Sequence, residues 1–158
     1  MISVILCAAG SGSRAGFSEN KVLRELNGLP VLSYSLSAFG EADEILIPCR
    51  KEDEARIGAL LTPFPRARTV RGGETREESV WNALQEVKGD IVLIHDAARP
   101  FVTRETVRAC IQSVQKYGSG VCSLPATDTT VPARDGAVAA APPPGRVFAA
   151  PTPQGFLS

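Results

Sequence analysis

The chain has 158 residues, its 17 basic and 17 acidic side chains give a formal net charge of zero, and 44% of its residues are hydrophobic. This length suits one domain that buries about 68–70% of its unfolded surface. The composition excludes collagen, a low-complexity chain and a basic nucleic-acid-binding protein. The apolar runs are far shorter than the ~20 residues of a membrane span, and no basic stretch precedes the first one. We therefore expect a cytoplasmic protein.

Short β-branched segments alternate with segments of helical spacing along the first 125 residues. Strands are predicted at 2–7, 44–48, 67–71, 91–94 and 121–124, and helices after Pro30, around 55–61, around Val80 and after Thr103. This alternation predicts a Rossmann-like α/β fold, in which helices cover both faces of a mostly parallel sheet.

The composition changes after residue 125, where proline and alanine become frequent. The Asp135-Gly136 pair predicts a hairpin turn within an arm that projects from the sheet. We therefore expect a single domain over 1–158, with a core over 1–125 and an arm over 126–147. The four cysteines are widely spaced and form no C-x-x-C pair, so they are expected to be reduced core thiols.

Three loops that follow predicted strands carry unusual residues, and such loops converge at the carboxyl edge of a doubly wound sheet. The first runs from Ala8 to Gly16, with Arg14 inside it and Lys21 shortly after. Its small residues suit a polyphosphate. Two alternatives remain: a flexible connection, and a dinucleotide fingerprint at Gly10-x-Gly12-x-x-Ala15, although no helix follows that motif directly.

The second and third loops also have a structural and a functional interpretation. Gly72-Gly73 precedes a helix N-terminus and could bind a base edge or an anion, or form a tight turn capped by Thr75 or Glu74. In His95-Asp96-Ala97-Ala98-Arg99-Pro100, the carboxylate and guanidinium are either a metal ligand and a phosphate clamp or a structural ion pair. His95 is the single histidine of the chain, and we expect it to be structural.

Together these segments resemble the 2-C-methyl-D-erythritol 4-phosphate cytidylyltransferases of the non-mevalonate isoprenoid pathway. The resemblance rests on four motifs in the same order: Ala8-Ala9-Gly10-Ser11-Gly12-Ser13-Arg14 with Lys21, Gly72-Gly73-x-x-Arg76-x-x-Ser79-Val80, His95 to Pro100, and Thr152-Pro153-Gln154. The family transfers CMP from CTP to methylerythritol phosphate with Mg²⁺ and releases pyrophosphate. Ribitol-5-phosphate cytidylyltransferase and a non-catalytic nucleotide-binding remnant remain as alternatives.

The resemblance also implies a role for each matching residue. Ala8, Ala9, Gly10 and Gly12 would wrap the triphosphate, Arg14 and Lys21 would neutralise the reacting phosphate, and Gly73, Thr75 and Ser79 would meet the cytosine. Asp96 would hold Mg²⁺, while Arg99 and Thr152 would contact the second substrate. Thr129 would reach the partner's site in a homodimer.

Two departures from the family pattern accompany this resemblance. The family usually carries an arginine on the arm, and the matching position of this chain is Pro144. The nearest cation is Arg146, which is displaced by two positions. The family also continues well past the T-P-Q segment, so we expect this chain to lack the family's C-terminal third.

Overall fold

The computed structural model describes residues 1–10, 19–126, 133–135, 137–138 and 147–158. In chain order its strands are β1 (Ile2–Cys7), β2 (Glu25–Leu26), β3 (Leu29–Pro30), β4 (Glu44–Cys49), β5 (Ala67–Arg71), β6 (Ile91–Asp96), β7 (Ser119–Val121), β8 (Leu124–Pro125), β9 (Ala133–Arg134), β10 (Ala137–Val138), β11 (Phe148–Ala149) and β12 (Gln154–Leu157). Its α-helices are α1 (Val31–Ala38), α2 (Lys51–Leu60), α3 (Arg76–Leu84) and α4 (Arg104–Tyr117), and Lys21–Leu23 forms one 3₁₀ turn.

A six-stranded sheet in the order β5-β4-β1-β6-β12-β7 forms the centre of the molecule. The first four of these strands are parallel, whereas β12 runs antiparallel to both of its neighbours. The interior of β1 is fully buried, because helices cover both faces of the sheet. The Rossmann-like α/β prediction is therefore confirmed.

The helices divide unequally between the two faces of the sheet. Residues of α1, α2 and α4 pack on one face, in a cluster that includes Leu36, Ile57 and Val114. On the other face α3 contributes Ala83, which packs with Ile5 and Val92. The sequence predicted all four helices, with bounds that differ by a few residues, because each has apolar residues at helical spacing.

The segment between α4 and the edge of the sheet differs from the prediction. Helix α4 begins after the N-cap Thr103 and is capped at its C-terminal end by Gly118, whose φ of 80° turns the chain at once into β7. A strand over 121–124 is therefore wrong: β7 spans residues 119–121, and Leu124–Pro125 instead pairs with β11. Gly120 lies so close to α4 that a Cβ there would be 2.6 Å from the carbonyl oxygen of Cys110.

Residues 154–157 add an inner strand to the sheet that the sequence did not predict. Strand β12 lies between β6 and β7, with Gln154 opposite Ile94 on one side and Val121 on the other. The predicted turn at Asp135 is present, since β9 and β10 pair antiparallel around it and Asp135 has a φ of 51°.

The cysteines are free thiols, as predicted, although only Cys49 and Cys110 are buried while Cys7 and Cys122 are half-buried. Among the described residues, no helix is long and apolar enough to cross a membrane.

Candidate active site

A wide groove lies at the carboxyl ends of β1, β4, β5 and β6. Residues from all three of the predicted loops line it, so their convergence is confirmed. The groove residues used below are Cys7, Ala8, Ala9, Gly10, Asn20, Lys21, Arg50, Gly72, Gly73, Thr75, Arg76, Glu78, Ser79, Asp96 and Arg99. Of the predicted site residues, Gly12, Arg14 and Thr129 lie outside the part of the chain that the structure describes.

The first loop leaves the sheet at Ala8, which is buried. Its N–H donates to the Pro48 carbonyl at 3.0 Å and so extends the β1–β4 ladder by one residue. The Ala8 carbonyl accepts a 2.7 Å hydrogen bond from the side-chain amide of Asn20. Lys21 follows directly as the first residue of the 3₁₀ turn, and it is half-buried in the groove wall. The chain before and after the loop is thus joined beside this lysine.

Gly72 begins the second loop at a point where only glycine fits. Its N–H donates to the Cys49 carbonyl at 2.8 Å. A Cβ on Gly72 would lie 2.8 Å from that carbonyl oxygen and 2.9 Å from the Cβ of Ala9. The second loop therefore packs directly against the first.

The hydroxyls of this second loop hold its backbone in place. The Ser79 hydroxyl accepts from the Gly73 N–H at 2.9 Å and donates to the Thr75 carbonyl at 2.8 Å. Thr75 is the N-cap of α3, and its hydroxyl accepts from the Glu78 N–H at 3.1 Å. The Glu78 carboxylate in turn accepts from the Glu74 N–H at 2.8 Å. Thr75 therefore caps the helix, as one of the structural alternatives predicted.

The third loop places Asp96 between two guanidinium groups. Arg76 Nε donates to Oδ1 at 3.0 Å, and Arg99 Nε donates to Oδ2 at 3.2 Å. Partial burial would by itself raise the pKa of Asp96, but the hydrogen bonds and charges of the two arginines outweigh it and hold that pKa below its usual value. The carboxylate is therefore ionised at neutral pH. The Asp96 N–H donates to Thr152 Oγ1 at 3.1 Å, which ties the end of β6 to the segment before β12.

Two buried polar side chains hold the third loop from below. His95 is fully buried, and its Nε2 donates to the Arg99 carbonyl at 3.2 Å. The centroid of its ring lies 5.1 Å from the ring centroid of Phe39. Ser35 of α1 donates to the Ala97 carbonyl at 3.2 Å. Burial lowers the pKa of His95, so the imidazole is neutral at physiological pH. This geometry supports the structural role expected for His95.

Cys7 ends β1 at the floor of the groove, opposite Asp96 in the register of β1 and β6. Burial raises the pKa of its thiol to about 11. A protonated thiol is a poor nucleophile, so Cys7 contributes packing rather than a covalent step.

Sequence reasoning missed several residues of this site. Arg76 was noted only as part of a motif, yet it contacts the same carboxylate as Arg99. Asn20 and Asp53 were not singled out, although both are buried and bonded to each other. The sequence offered little signal for them, because Asn20 lies in a loop without an apolar pattern and Asp53 resembles its exposed neighbours Glu52 and Glu54.

A profile of the family "IspD: 2-C-methyl-D-erythritol 4-phosphate cytidylyltransferase" matches residues 2–158. The chain belongs to this family. It is 35% identical over 164 aligned residues to the cytidylyltransferase of that name from Bacillus mycoides, covering 99% of this chain and 72% of the relative. The relative from Symbiobacterium thermophilum is 38% identical, covering 98% of this chain and 68% of that protein.

Solved structures of cytidylyltransferases have the same fold. The crystal structure of 4-diphosphocytidyl-2C-methyl-D-erythritol synthase from Anaerococcus prevotii superposes with a TM-score of 0.87 at 31% identity, covering 99% of this chain and 71% of that one. The 2-C-methyl-D-erythritol 4-phosphate cytidylyltransferase from Thermus thermophilus superposes with a TM-score of 0.76, also at 31% identity, covering 98% and 70%. The family resemblance of the four motifs is therefore confirmed.

Proposed function

We propose that this chain transfers the cytidylyl group of CTP to the phosphate of 2-C-methyl-D-erythritol 4-phosphate and releases pyrophosphate. The relatives that it matches are named for this transfer, and the chain belongs to their family. The observation that carries the proposal is the groove itself, where Lys21, the Gly72-Gly73 loop and the Asp96 ion pairs face one volume.

The groove offers distinct partners for the phosphates and for the base. Backbone groups of Ala8, Ala9 and Gly10 would lie along the triphosphate, because small residues allow a close approach of N–H groups to phosphate oxygens. The rigid loop around Gly73, held by Thr75 and Ser79, would read the edge of the cytosine. A fixed backbone discriminates between bases because an unmatched base leaves polar groups unpaired.

The reaction would need positioning and charge neutralisation rather than a covalent enzyme intermediate. A phosphate oxygen of the second substrate would attack the α-phosphorus of CTP in line with the departing pyrophosphate. Lys21 and Arg14 would stabilise the charge that develops there. Arg99, which contacts the Asp96 oxygen that Arg76 does not, would bind the phosphate of the second substrate. Thr152 would contact that substrate.

Asp96 is the residue that would hold Mg²⁺. Within the described ranges there is no group of three or more acidic, histidine or cysteine side chains able to hold a metal. Mg²⁺ often takes only one or two carboxylates and completes its shell with phosphate oxygens and water. The ionised Asp96 fits it, because each of its oxygens keeps a lone pair beside the hydrogen bond that it accepts from an arginine. When bound, the ion supplies positive charge to the phosphate oxygens.

We also propose that the arm over residues 126–147 forms a homodimer and brings Thr129 to the partner's site. The pairing of β9 with β10 supports this, since the hairpin forms a two-stranded sheet separate from the central one. Sedimentation of the full chain and of a version with the arm shortened tests it. The shortened chain should sediment as a monomer, and an unchanged dimer would contradict the role of the arm.

The experiment that tests the reaction follows pyrophosphate release with CTP, UTP or ATP and methylerythritol phosphate as substrates. CTP should support turnover far better than the others, and Lys21→Ala should lower kcat by about 10²–10³-fold while weakening CTP binding much less. Lys88→Ala is the matched control, because Lys88 is exposed and precedes β6 at the opposite edge of the sheet. Equal turnover with all nucleotides would contradict the cytosine site. A loss of CTP binding with full turnover at saturation would contradict the role of Lys21.

A further inference from the structure

A buried polar cluster includes Asn20, the residue directly before Lys21, and has no role in the binding scheme above. Asn20 is 2% exposed and Asp53 is 6% exposed. Burying an amide or a carboxylate is costly unless every polar atom finds a partner. The cluster is formed by Asn20, Asp53 and the half-buried Arg50, which we call the Asn20 cluster.

The Asn20 side chain joins three separate segments of the chain. Its amide nitrogen donates one hydrogen to the Ala8 carbonyl at 2.7 Å and the other to Asp53 Oδ2 at 2.8 Å. Its oxygen accepts from the Val22 N–H at 3.3 Å and so caps the 3₁₀ turn that begins with Lys21. One amide therefore connects the end of β1, the first turn of α2 and the turn that carries Lys21.

Asp53 and Arg50 fix the orientation of that amide. Asp53 Oδ2 accepts from Arg50 Nε at 3.2 Å and from Arg50 Nη2 at 3.0 Å, as well as from Asn20. The Ala8 carbonyl and the Asp53 carboxylate can only accept, so the nitrogen of Asn20 must face both of them. The guanidinium compensates the buried negative charge, and the first turn of α2 also favours a carboxylate.

We infer that Asn20 is a positioning residue that sets the place of Lys21 relative to the end of β1, with Asp53 and Arg50 holding its amide. The inference rests on the proposed function, because that function assigns to Lys21 the stabilisation of the charge that develops on the reacting phosphate. Lys21 follows Asn20 directly, and the Leu23 and Arg24 N–H groups donate to the carbonyls of residues 20 and 21. A displacement of about 1 Å in a group that acts on the reacting atoms can cost about 10²-fold in rate.

The first test substitutes Asn20→Ser, which removes both donated hydrogen bonds. The variant should lower kcat at least tenfold while the Kd for CTP changes less. Amide hydrogen exchange of the peptide that contains residues 21–23 should rise by tenfold or more. In a Lys21→Ala background, Asn20→Ser should lower kcat little further, because residues that act as a unit are not additive.

Ser3→Ala is the matched control. Ser3 is also fully buried and bonded to two other segments, but it lies near the amino end of β1. This control should lower stability and leave both kcat and exchange at residues 21–23 unchanged. If Ser3→Ala reduced kcat as strongly as Asn20→Ser, the effect would be general destabilisation and the inference would fail.

The second variant exchanges the two side chains, Asn20→Asp with Asp53→Asn. The pair can still bond, because the new amide at 53 donates to the new carboxylate at 20, but nothing then donates to the Ala8 carbonyl. The double variant should be more stable than Asn20→Asp alone and should keep the low kcat and the fast exchange at 21–23. Recovery of kcat to within twofold of the unsubstituted chain would overturn the inference.

The exchange measurement separates this inference from the proposed reaction. An unsubstituted chain without turnover would refute the reaction. Unchanged exchange at residues 21–23 in Asn20→Ser would overturn the positioning role whether or not CTP turns over.

Discussion

Replacing Gly72 with alanine should disturb the contact between the first two loops of the groove. The new Cβ would lie 2.8 Å from the Cys49 carbonyl oxygen and 2.9 Å from the Cβ of Ala9, well inside ordinary contact distance. These two close contacts can be relieved only if the backbone moves. That movement weakens the 2.8 Å hydrogen bond from the Gly72 N–H to the Cys49 carbonyl. Overpacking and the loss of one hydrogen bond together destabilise the fold by on the order of 2–4 kcal/mol.

Urea unfolding measures this loss of stability directly, as a lower midpoint with an unchanged m-value. For a chain of this size each kcal/mol lowers Tm by about 2–4 °C, so thermal unfolding should show a clear shift. The affinity for CTP should fall as well, because Ala9 is displaced. Gly58→Ala is the control: Gly58 is an exposed residue of α2 with open space around its Cβ position, and alanine there should stabilise by about 0.5–1 kcal/mol. A Gly72→Ala variant with the wild-type midpoint and CTP affinity would refute the argument.

Three further changes test the loop that carries Asp96. Burial lowers the pKa of His95, so the unfolded chain binds a proton at a higher pH than the folded chain does. The free energy of unfolding should therefore fall as the pH drops below about 6.5. His95→Gln should make the urea midpoint depend less on pH. The two arginines hold the pKa of Asp96 low, so the stability that the carboxylate contributes is present above about pH 4 and is lost below it. The difference from Asp96→Asn in the same measurement should therefore shrink in acid, and a constant difference would contradict the ion pairs. Thr152→Val removes the acceptor of the Asp96 N–H and should cost about 1–3 kcal/mol, whereas Thr152→Ser should retain most of the stability.

The sequence predicted the parallel part of the sheet and the three loops well. Strands β1, β4 and β6 are mostly apolar runs next to turn residues, whereas β5 mixes apolar and polar residues. In such a sheet the loop after each strand must reach the same edge. Local pattern alone was enough there. For β12 it was not enough, because Gln154-Gly155-Phe156-Leu157 shows no strand periodicity and its partners are residues 91–94 of β6 and 119–121 of β7, far earlier in the chain.

The groove showed the same division between local and distant information. Short motifs supplied Gly72, Thr75, Asp96 and Arg99, and the chemistry of such motifs can be inferred from residues that are neighbours in the sequence. The Asn20 cluster joins residues that are 12 and 33 positions apart, so its existence depends on how the strands are ordered in space. Arg76 and Asp96 are likewise 20 positions apart and meet only because β5 and β6 end at the same edge.

The position of β12 has a consequence for the order in which the protein folds during synthesis. In the part of the chain that the structure describes, β7 reaches the central sheet only through β12. Until residues 154–157 have left the ribosome, β6 therefore has a free edge, and β7 has no strand to join it to the sheet. An exposed edge strand on a nascent chain invites pairing with other chains. A chain released before residue 154 should therefore aggregate more readily than one that includes residues 154–157.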